Sequence, residues 1–354
     1  MTAISRLRQA VIGKPRDPMN PETRRHIALI GFFAWVGLGA DGLSSSAYGP
    51  EEAYVALGEH TELGLFLVAA TVVTVFIISV AYNQVIELFP NGGGGYKVAS
   101  KLIGPHAGLT AGSALIVDYV LTIAISVASG ADAVFSLLPV SLHGWKLPFA
   151  VAVTGALVTL NLRGIKEAIV VLLPIFIGFV IVHLVLIIYG IHAHAERLPQ
   201  LLPESIADAR SLAQSGGWLF VSATLLFAYS HGGGTYTGLE AVSNNVNMLA
   251  EPRVRTGKWT MFYMATSLAF TAGGILLLYL LWDVSQAPGQ TLNAVTFKSI
   301  IEHFDLGSPL ANATGLVVVL ALEAGLLFVA ANTGFLGGPA VLANMAADSW
   351  VPRQ

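Results

Sequence analysis

The sequence contains no cysteine and little charge. Lysine, arginine, aspartate and glutamate make up 11% of its 354 residues, whereas a soluble domain carries roughly 25%. Without cysteine, neither a disulfide framework nor a thiolate metal site can form. No cleavable signal peptide is expected, because residues 1–25 are polar and basic and the first apolar run carries no small-residue cleavage site. These features argue against a disulfide-rich secreted protein and against an ordinary soluble domain.

Long apolar runs dominate the rest of the chain. Hydrophobic residues account for 55% of the sequence, and the mean hydropathy is +0.70. Runs near the roughly 20 residues that cross a bilayer recur along the chain, and with an interrupted first segment they predict eight spans. The runs cover residues 63–88, 107–138, 147–162, 168–191, 218–229, 259–282 and 310–347. The sequence therefore predicts an all-α polytopic membrane protein.

The basic residues predict the orientation of these spans. With the N-terminus in the cytoplasm, the predicted inner segments hold 14 of the 18 lysines and arginines and the outer segments hold 4. This asymmetry follows the positive-inside rule. The expected location is the cell inner (plasma) membrane, with residues 1–25 as a cytoplasmic N-terminal segment.

A glycine-rich stretch at residues 37–50 interrupts the first apolar segment. It contains four glycines, a run of serines, a proline and one acid, Asp41. Glycine and proline disfavour a continuous helix by roughly 1 and 3 kcal/mol relative to alanine. Inside a membrane, unwound backbone is tolerated only where it is buried in protein or lines a wet cavity, and an acid at that depth indicates a functional site. The alternative, a soluble loop around an N-cap aspartate, fits poorly with eight predicted spans.

The third span carries a polar stripe on an otherwise apolar helix. Asp118, Thr122 and Ser126 are spaced four apart and so share one face. The alternative for the two hydroxyls is a hydrogen bond to a carbonyl of their own helix, as is common in membrane helices. Asp118 favours a functional interpretation, because a carboxylate in hydrocarbon must face a partner or water.

The sixth span is interrupted as well, at residues 231–240. The two breaks share a Gly-x-Glu pattern, at residues 49–51 and 238–240. Since they are five helices apart, the second copy would be inverted in the membrane, which predicts an inverted repeat with a substrate site between its broken helices. On this interpretation residues 26–192 form the first five-helix repeat, 193–216 an extracellular loop, and 217–354 the first three helices of a second, incomplete repeat. Within residues 217–354 we expect a half-helix over residues 241–249 and a longer outside loop over residues 284–308.

The motifs of the chain resemble the amino acid–polyamine–organocation superfamily, whose members have the LeuT-type fold. Residues 90–96, 161–166 and 236–240 look like hallmarks of that superfamily. Within it, the chain resembles the bacterial KimA-type potassium importers of the KUP potassium–proton symporter group. This second resemblance is carried by residues 41–49, 118–122, 237–244 and 331–335. Members of that type have twelve helices and a cytoplasmic C-terminal domain, so the resemblance implies that the sequence is truncated at its C-terminus.

The resemblance implies a secondary active transporter that imports potassium together with protons. Its site would lie between the broken first and sixth helices and the third helix, and would consist of carboxyl, phenol and hydroxyl oxygens. A hard monovalent cation needs oxygen ligands, and broken helices add freed carbonyls. No cofactor and no resident metal are expected. The expected partners are potassium, a proton, membrane lipid and, in a full-length form, a second copy of the chain, but no nucleic acid. The implied potassium-binding residues are Asp41, Tyr48, Asp118, Tyr119, Thr122, Ser126, Thr237 and Glu240.

Glu240 is the residue that we expect to carry the coupling proton. It is flanked by Leu239 and Ala241, an apolar setting suited to a carboxyl that takes up and releases a proton. The alternative is a protonated Glu240 that only hydrogen-bonds a neighbouring helix.

Two other functions remain open from the sequence. An amino acid or polyamine permease could share the fold, although Asp41 would repel a substrate carboxylate. A truncated partner subunit that does not transport is the second alternative. An enzyme is not expected, because no nucleophile–base pair or metal cluster stands out among the apolar runs.

Overall fold

The computed structural model describes residues 29–163 and 165–352, so the predicted cytoplasmic segment 1–25 lies outside the described residues. Within these ranges the chain is helical, and the β-structure is an isolated bridge between Leu29 and Leu249. Six of the described helices are long and apolar enough to cross a membrane. The prediction of an all-α polytopic membrane protein is confirmed.

The helices follow the predicted spans closely. Six of the eight predicted spans correspond to the six long apolar helices. The other two correspond to the interrupted pair α1 and α2 and to the 18-residue helix α6. The described helices are α1 (Gly31–Ser44), α2 (Gly49–Val55), α3 (Gly64–Leu88), α4 (Gly94–Val98), α5 (Pro105–Phe135), α6 (Lys146–Arg163), α7 (Ile165–Ala193), α8 (Leu198–His231), α9 (Ala241–Asn244), α10 (Arg253–Leu281), α11 (Leu292–Phe304) and α12 (Pro309–Ala347).

Helix α10 lies at the centre of the bundle. It packs against α1, α3 and α7, while α12 makes its most extensive contact with α5. Most of the apolar stretch of α10 is buried, in contrast to the other long helices. A helix that is apolar on all sides is expected in such a position. Helix α12 packs against both α1 and α5, so these three helices surround the first break.

Two segments that the sequence predicts as loops are helical. The segment 193–216, predicted as an extracellular loop, contains the first half of α8, which bends at Gly217 (φ 77°, ψ 167°). Residues 284–308, also expected to be a loop, contain α11. Both helices are amphipathic, and α8 buries Leu201 and Leu212 in the core. Because one face of each helix is polar, neither helix appears in the sequence as a continuous apolar run.

The first break is shorter than predicted. Helix α1 continues through the glycine-rich stretch to Ser44, and only a 3₁₀ turn, Ser45–Ala47, and the distorted Tyr48 separate it from α2. The hydroxyls of Ser44 and Ser46 donate to the carbonyls of Asp41 and Leu43, at 2.8 and 2.7 Å. Burial and these bonds offset the low helix propensity of glycine.

The half-helix after the second break is also shorter than predicted. The sequence suggests a helix over residues 241–249, but α9 ends at Asn244 and a 3₁₀ turn, Val246–Met248, follows. The carbonyl of Asn244 accepts a hydrogen bond from the amide of Gly93, at 3.3 Å, instead of continuing the helix. The glycine-rich turn before α4 therefore anchors this segment.

Candidate functional site

The two helix breaks pack directly against each other. Gly238 has a φ of +85°, and a Cβ there would lie 2.9 Å from backbone and side-chain carbons of Asp41. Gly49 makes the corresponding close approach from the first break, because a Cβ added there would lie 2.8 Å from the amide nitrogen of Thr235. Only glycine allows both the left-handed backbone and the close approach at position 238. The glycines of the two Gly-x-Glu motifs thus bring the unwound segments together.

Hydroxyl groups join the breaks to one another. The Ser45 Oγ atom lies 2.6 Å from the carbonyl oxygen of Gly42 and 2.7 Å from that of Thr235. The Tyr48 hydroxyl lies 3.3 Å from Thr237 Oγ1, and Thr237 in turn donates to the carbonyl of Gly234 at 2.8 Å. Carbonyl and hydroxyl oxygens from both breaks therefore converge at one place.

Three carboxyl groups near the breaks lie within electrostatic range of one another. Asp41 and Glu240 are 2% and 7% exposed, and Asp118 is half-buried. Asp41 interacts electrostatically with both Glu240 and Asp118. No basic side chain is among the charges that act on the three acids in the described part of the chain. A buried group of acids without a basic partner requires a cation or protons.

The polar stripe of α5 reaches this group. Thr122 and Ser126 are 3% and 1% exposed. The Ser126 hydroxyl has no hydrogen-bond partner among residues 29–163 and 165–352, so the alternative of a bond to its own helix is wrong for Ser126. By contrast, Thr110 on the same helix does donate to the carbonyl of His106, at 3.1 Å. Ser126 therefore keeps its oxygen available for a ligand.

Tyr119 is buried between three helices. Its hydroxyl accepts a hydrogen bond from the side-chain amide of Asn244, at 2.7 Å. Its ring packs so closely on Gly337 of α12 that a Cβ there would overlap it. Tyr119 thus connects α5, α9 and α12 around the acids.

The sequence reasoning missed two polar groups at the site. Ser45 bridges the breaks, and its only signal was its place in the serine run of residues 44–46. Asn244 fixes Tyr119, and it stands at the end of the motif 237–244. Further from the acids, Asn161 donates to Asn332 at 2.5 Å and ties α6 to α12. Nothing in the spacing of these residues along the chain indicated those contacts.

If the oxygens of this site bind a cation, alanine at Thr122 or Ser126 should weaken its apparent affinity about threefold to tenfold, because one neutral ligand contributes about 1 kcal/mol. Concentration-dependent uptake of labelled rubidium would measure the change. Thr110→Ala, on the exposed face of the same helix, is the matched control and should behave like wild type. Affinities identical to that of Thr110→Ala would mean that neither hydroxyl contacts the ion.

Comparison with known proteins places the chain among transporters. The family model described as amino acid permease matches residues 36–354. Potassium transporter KimA from Bacillus subtilis (strain 168) is 31% identical to this chain in an alignment that covers 98% of this chain and 55% of that protein. The chain therefore spans about half the length of this curated relative. Both matches include the two breaks and all three carboxyl groups.

Proposed function

We propose that this chain, which belongs to the amino acid permease family, is a membrane transporter that imports potassium through the site between its two helix breaks. The observation that carries this proposal is the group of three acids, Asp41, Asp118 and Glu240, with no basic partner among the charges acting on them in the described residues. Intramembrane acids of this kind mark ion or proton pathways.

The surroundings of the acids favour a monovalent cation. Freed carbonyls and hydroxyls such as Ser126 can replace the hydration shell of an alkali ion. A divalent ion would call for several carboxylates bound to it at once, whereas the oxygens that converge at the two breaks belong mainly to hydroxyls and carbonyls. An amino acid substrate is disfavoured, since Asp41 would repel its carboxylate. The relative from Bacillus subtilis is named as a potassium transporter, which agrees with this choice.

The proposed ligands are those implied by the sequence. They combine charged oxygens for affinity with neutral oxygens that complete the coordination of the ion. The set is Asp41, Tyr48, Asp118, Tyr119, Thr122, Ser126, Thr237 and Glu240.

The wider proposal concerns the membrane setting. We place the chain in the plasma membrane with its N-terminus in the cytoplasm, on the positive-inside asymmetry of its sequence. We also propose the LeuT-type inverted repeat, membership of the KUP potassium–proton symporter group and a second copy of the chain as partner. The reciprocal packing of Gly49 and Gly238 supports the inverted repeat.

Growth of a strain that lacks its own potassium importers tests the proposed function. Expression of the chain should restore growth at low potassium but make no difference at high potassium. Equal growth with and without the chain at low potassium, despite its presence in the membrane, would contradict the proposal.

Glu240 is proposed to carry the coupling proton. Its Oε1 atom has no hydrogen-bond partner among the described residues, and its neighbours Leu239 and Ala241 are fully buried. The backbone amides of Gly238 and of Glu240 itself lie next to this carboxyl, and no basic side chain is among the charges that act on it in the described residues. These features suit a group that gains and loses a proton during transport.

Glu240→Gln is expected to bind rubidium but to lose both proton-driven accumulation and the pH dependence of uptake, because glutamine mimics the protonated acid permanently. Uptake of labelled rubidium between pH 5 and 8, about the range over which a tuned carboxyl titrates, would measure both. Glu302→Gln, at an exposed acid on α11, is the control. A Glu240→Gln protein that still concentrates rubidium with wild-type pH dependence would assign the proton to another acid, with Asp118 tested next.

A further inference from the structure

A polar cavity, which we name the acidic cavity, lies beside the first break. Its volume is about 290 Å³. It is lined by Tyr48 at the break, by Glu51 and Glu52 of α2, by Ser129 and Asp132 of α5, and by Glu323 of α12. None of these acids belongs to the group around Asp41.

Glu323 is the buried acid of this cavity. It is 1% exposed, and its Oε1 atom accepts a hydrogen bond from the side-chain amide of Asn293, at 2.7 Å. Asn293 is itself held by the hydroxyl of Tyr279, at 2.6 Å, and lies 3.3 Å from the carbonyl oxygen of Ala47. The second oxygen of Glu323, Oε2, has no hydrogen-bond partner in the described ranges. A buried polar oxygen that is left unpaired is costly, so this atom is expected to carry a proton or to bind a ligand.

The charges that face the cavity are mainly negative. Asp132 is paired with Lys146, which leaves Glu51, Glu52 and Glu323. Glu51 interacts electrostatically with both of the other two acids. No ion pair found among the described residues involves any of the three. The other titratable side chains of the lining are Tyr48 and His143. The Nε2 atom of His143 lies 3.1 Å from the carbonyl oxygen of Phe135.

We propose that the acidic cavity binds a monovalent alkali cation, with Glu323 as its charged ligand. Asn293 fixes one carboxylate oxygen and so aims the other at the ion. Hydroxyl oxygens such as that of Ser129 complete the surroundings. A divalent cation is disfavoured, because the acids of the described chain nowhere approach in groups of three that could chelate one.

Tyr48 separates the acidic cavity from the group around Asp41. Its side chain lines the cavity, while its hydroxyl lies 3.3 Å from Thr237 Oγ1 at the breaks. An ion held by Glu323 is therefore one side chain away from the transport site. Passage of this ion from the cavity to Asp41 rests on the proposed function. Binding of the ion in the cavity does not depend on it.

Equilibrium binding of labelled rubidium to the purified full chain tests this inference. The wild type should show two classes of rubidium site. Glu323→Gln should lose one class and keep the other, because glutamine preserves the acceptor for Asn293 but removes the charge. Asp41→Asn should lose the other class of sites and keep the class that depends on Glu323. Glu302→Gln, an exposed acid on the same helix as Asn293, should retain both classes.

The possible outcomes separate this inference from the proposed function. If Asp41→Asn changes nothing but Glu323→Gln loses a class of sites, the cavity binds the cation and the proposed transport site is wrong. If Glu323→Gln retains both classes, the inference is overturned. If Glu323→Gln fails to fold, the variant to measure is Glu51→Gln, at the partly exposed rim of the cavity. Unchanged rubidium binding by Glu51→Gln would also overturn the inference. Displacement of the rubidium by low concentrations of calcium would contradict the assignment to a monovalent ion.

Discussion

Asp41→Asn is expected to lower the apparent affinity of rubidium uptake by at least about 100-fold, or roughly 3 kcal/mol. The reason is that a buried carboxylate interacts with a cation in a medium of low dielectric, where its charge is poorly screened. Asparagine has nearly the same shape, and the backbone carbonyl that accepts from Ser44 is retained. The protein should therefore reach the membrane in normal amounts. Initial uptake rates over a range of rubidium concentrations would show the effect.

Asp118→Asn is expected to abolish high-affinity uptake in the same way, since Asp118 interacts electrostatically with Asp41. Glu302→Gln removes an acid from an exposed position and serves as the control for charge alone. If both aspartate variants import rubidium like this control, the two acids are structural and a cation is not the substrate of this site.

Gly238→Ala is expected to destabilise the protein by at least about 2 kcal/mol, a cost typical of overpacking a buried contact, and to abolish transport. The added Cβ would collide with the backbone of α1 at Asp41 and Gly42, and the φ of +85° adds strain for any residue with a side chain. Thermal unfolding of the purified protein and rubidium uptake would measure the two effects.

Gly233→Ala is the matched control for this collision. Gly233 lies in the 3₁₀ turn of the same break, but a Cβ there would meet no atom within 4 Å. This variant should fold and transport like wild type, whereas Gly49→Ala should fail like Gly238→Ala. Equal stability of the Gly238 and Gly233 variants would show that the breaks do not pack on each other as described.

The spans could be predicted because burial in lipid requires long apolar runs. The last run was expected at residues 310–347, and the helix extends over Pro309–Ala347. Amphipathic helices give no such signal, so the first half of α8 and all of α11 were expected to be loops. The length of the first break was overestimated, because helix propensity is a weak guide to structure once the glycines are buried. Gly39 and Gly42 of α1 are both buried.

The acids of the candidate site could be identified from the sequence, because a carboxylate in an apolar run is rare enough to indicate function. Their neighbours could not, since a contact such as Ser45 with Thr235 joins residues 190 positions apart. The same limit applies to the acidic cavity. Glu323 is visible as an acid in the last span, but its partner Asn293 lies in a segment that the sequence did not predict to be helical.

Uptake of labelled rubidium, measured beside uptake of labelled amino acids and a labelled polyamine in the same potassium-import-deficient cells, tests the central claim most directly. We predict saturable rubidium uptake that potassium competes away and that falls when the proton gradient is dissipated. The amino acids and the polyamine should enter no faster than in cells without the chain. Import of an amino acid or of the polyamine, with rubidium uptake at background, would contradict the assignment of this site to potassium.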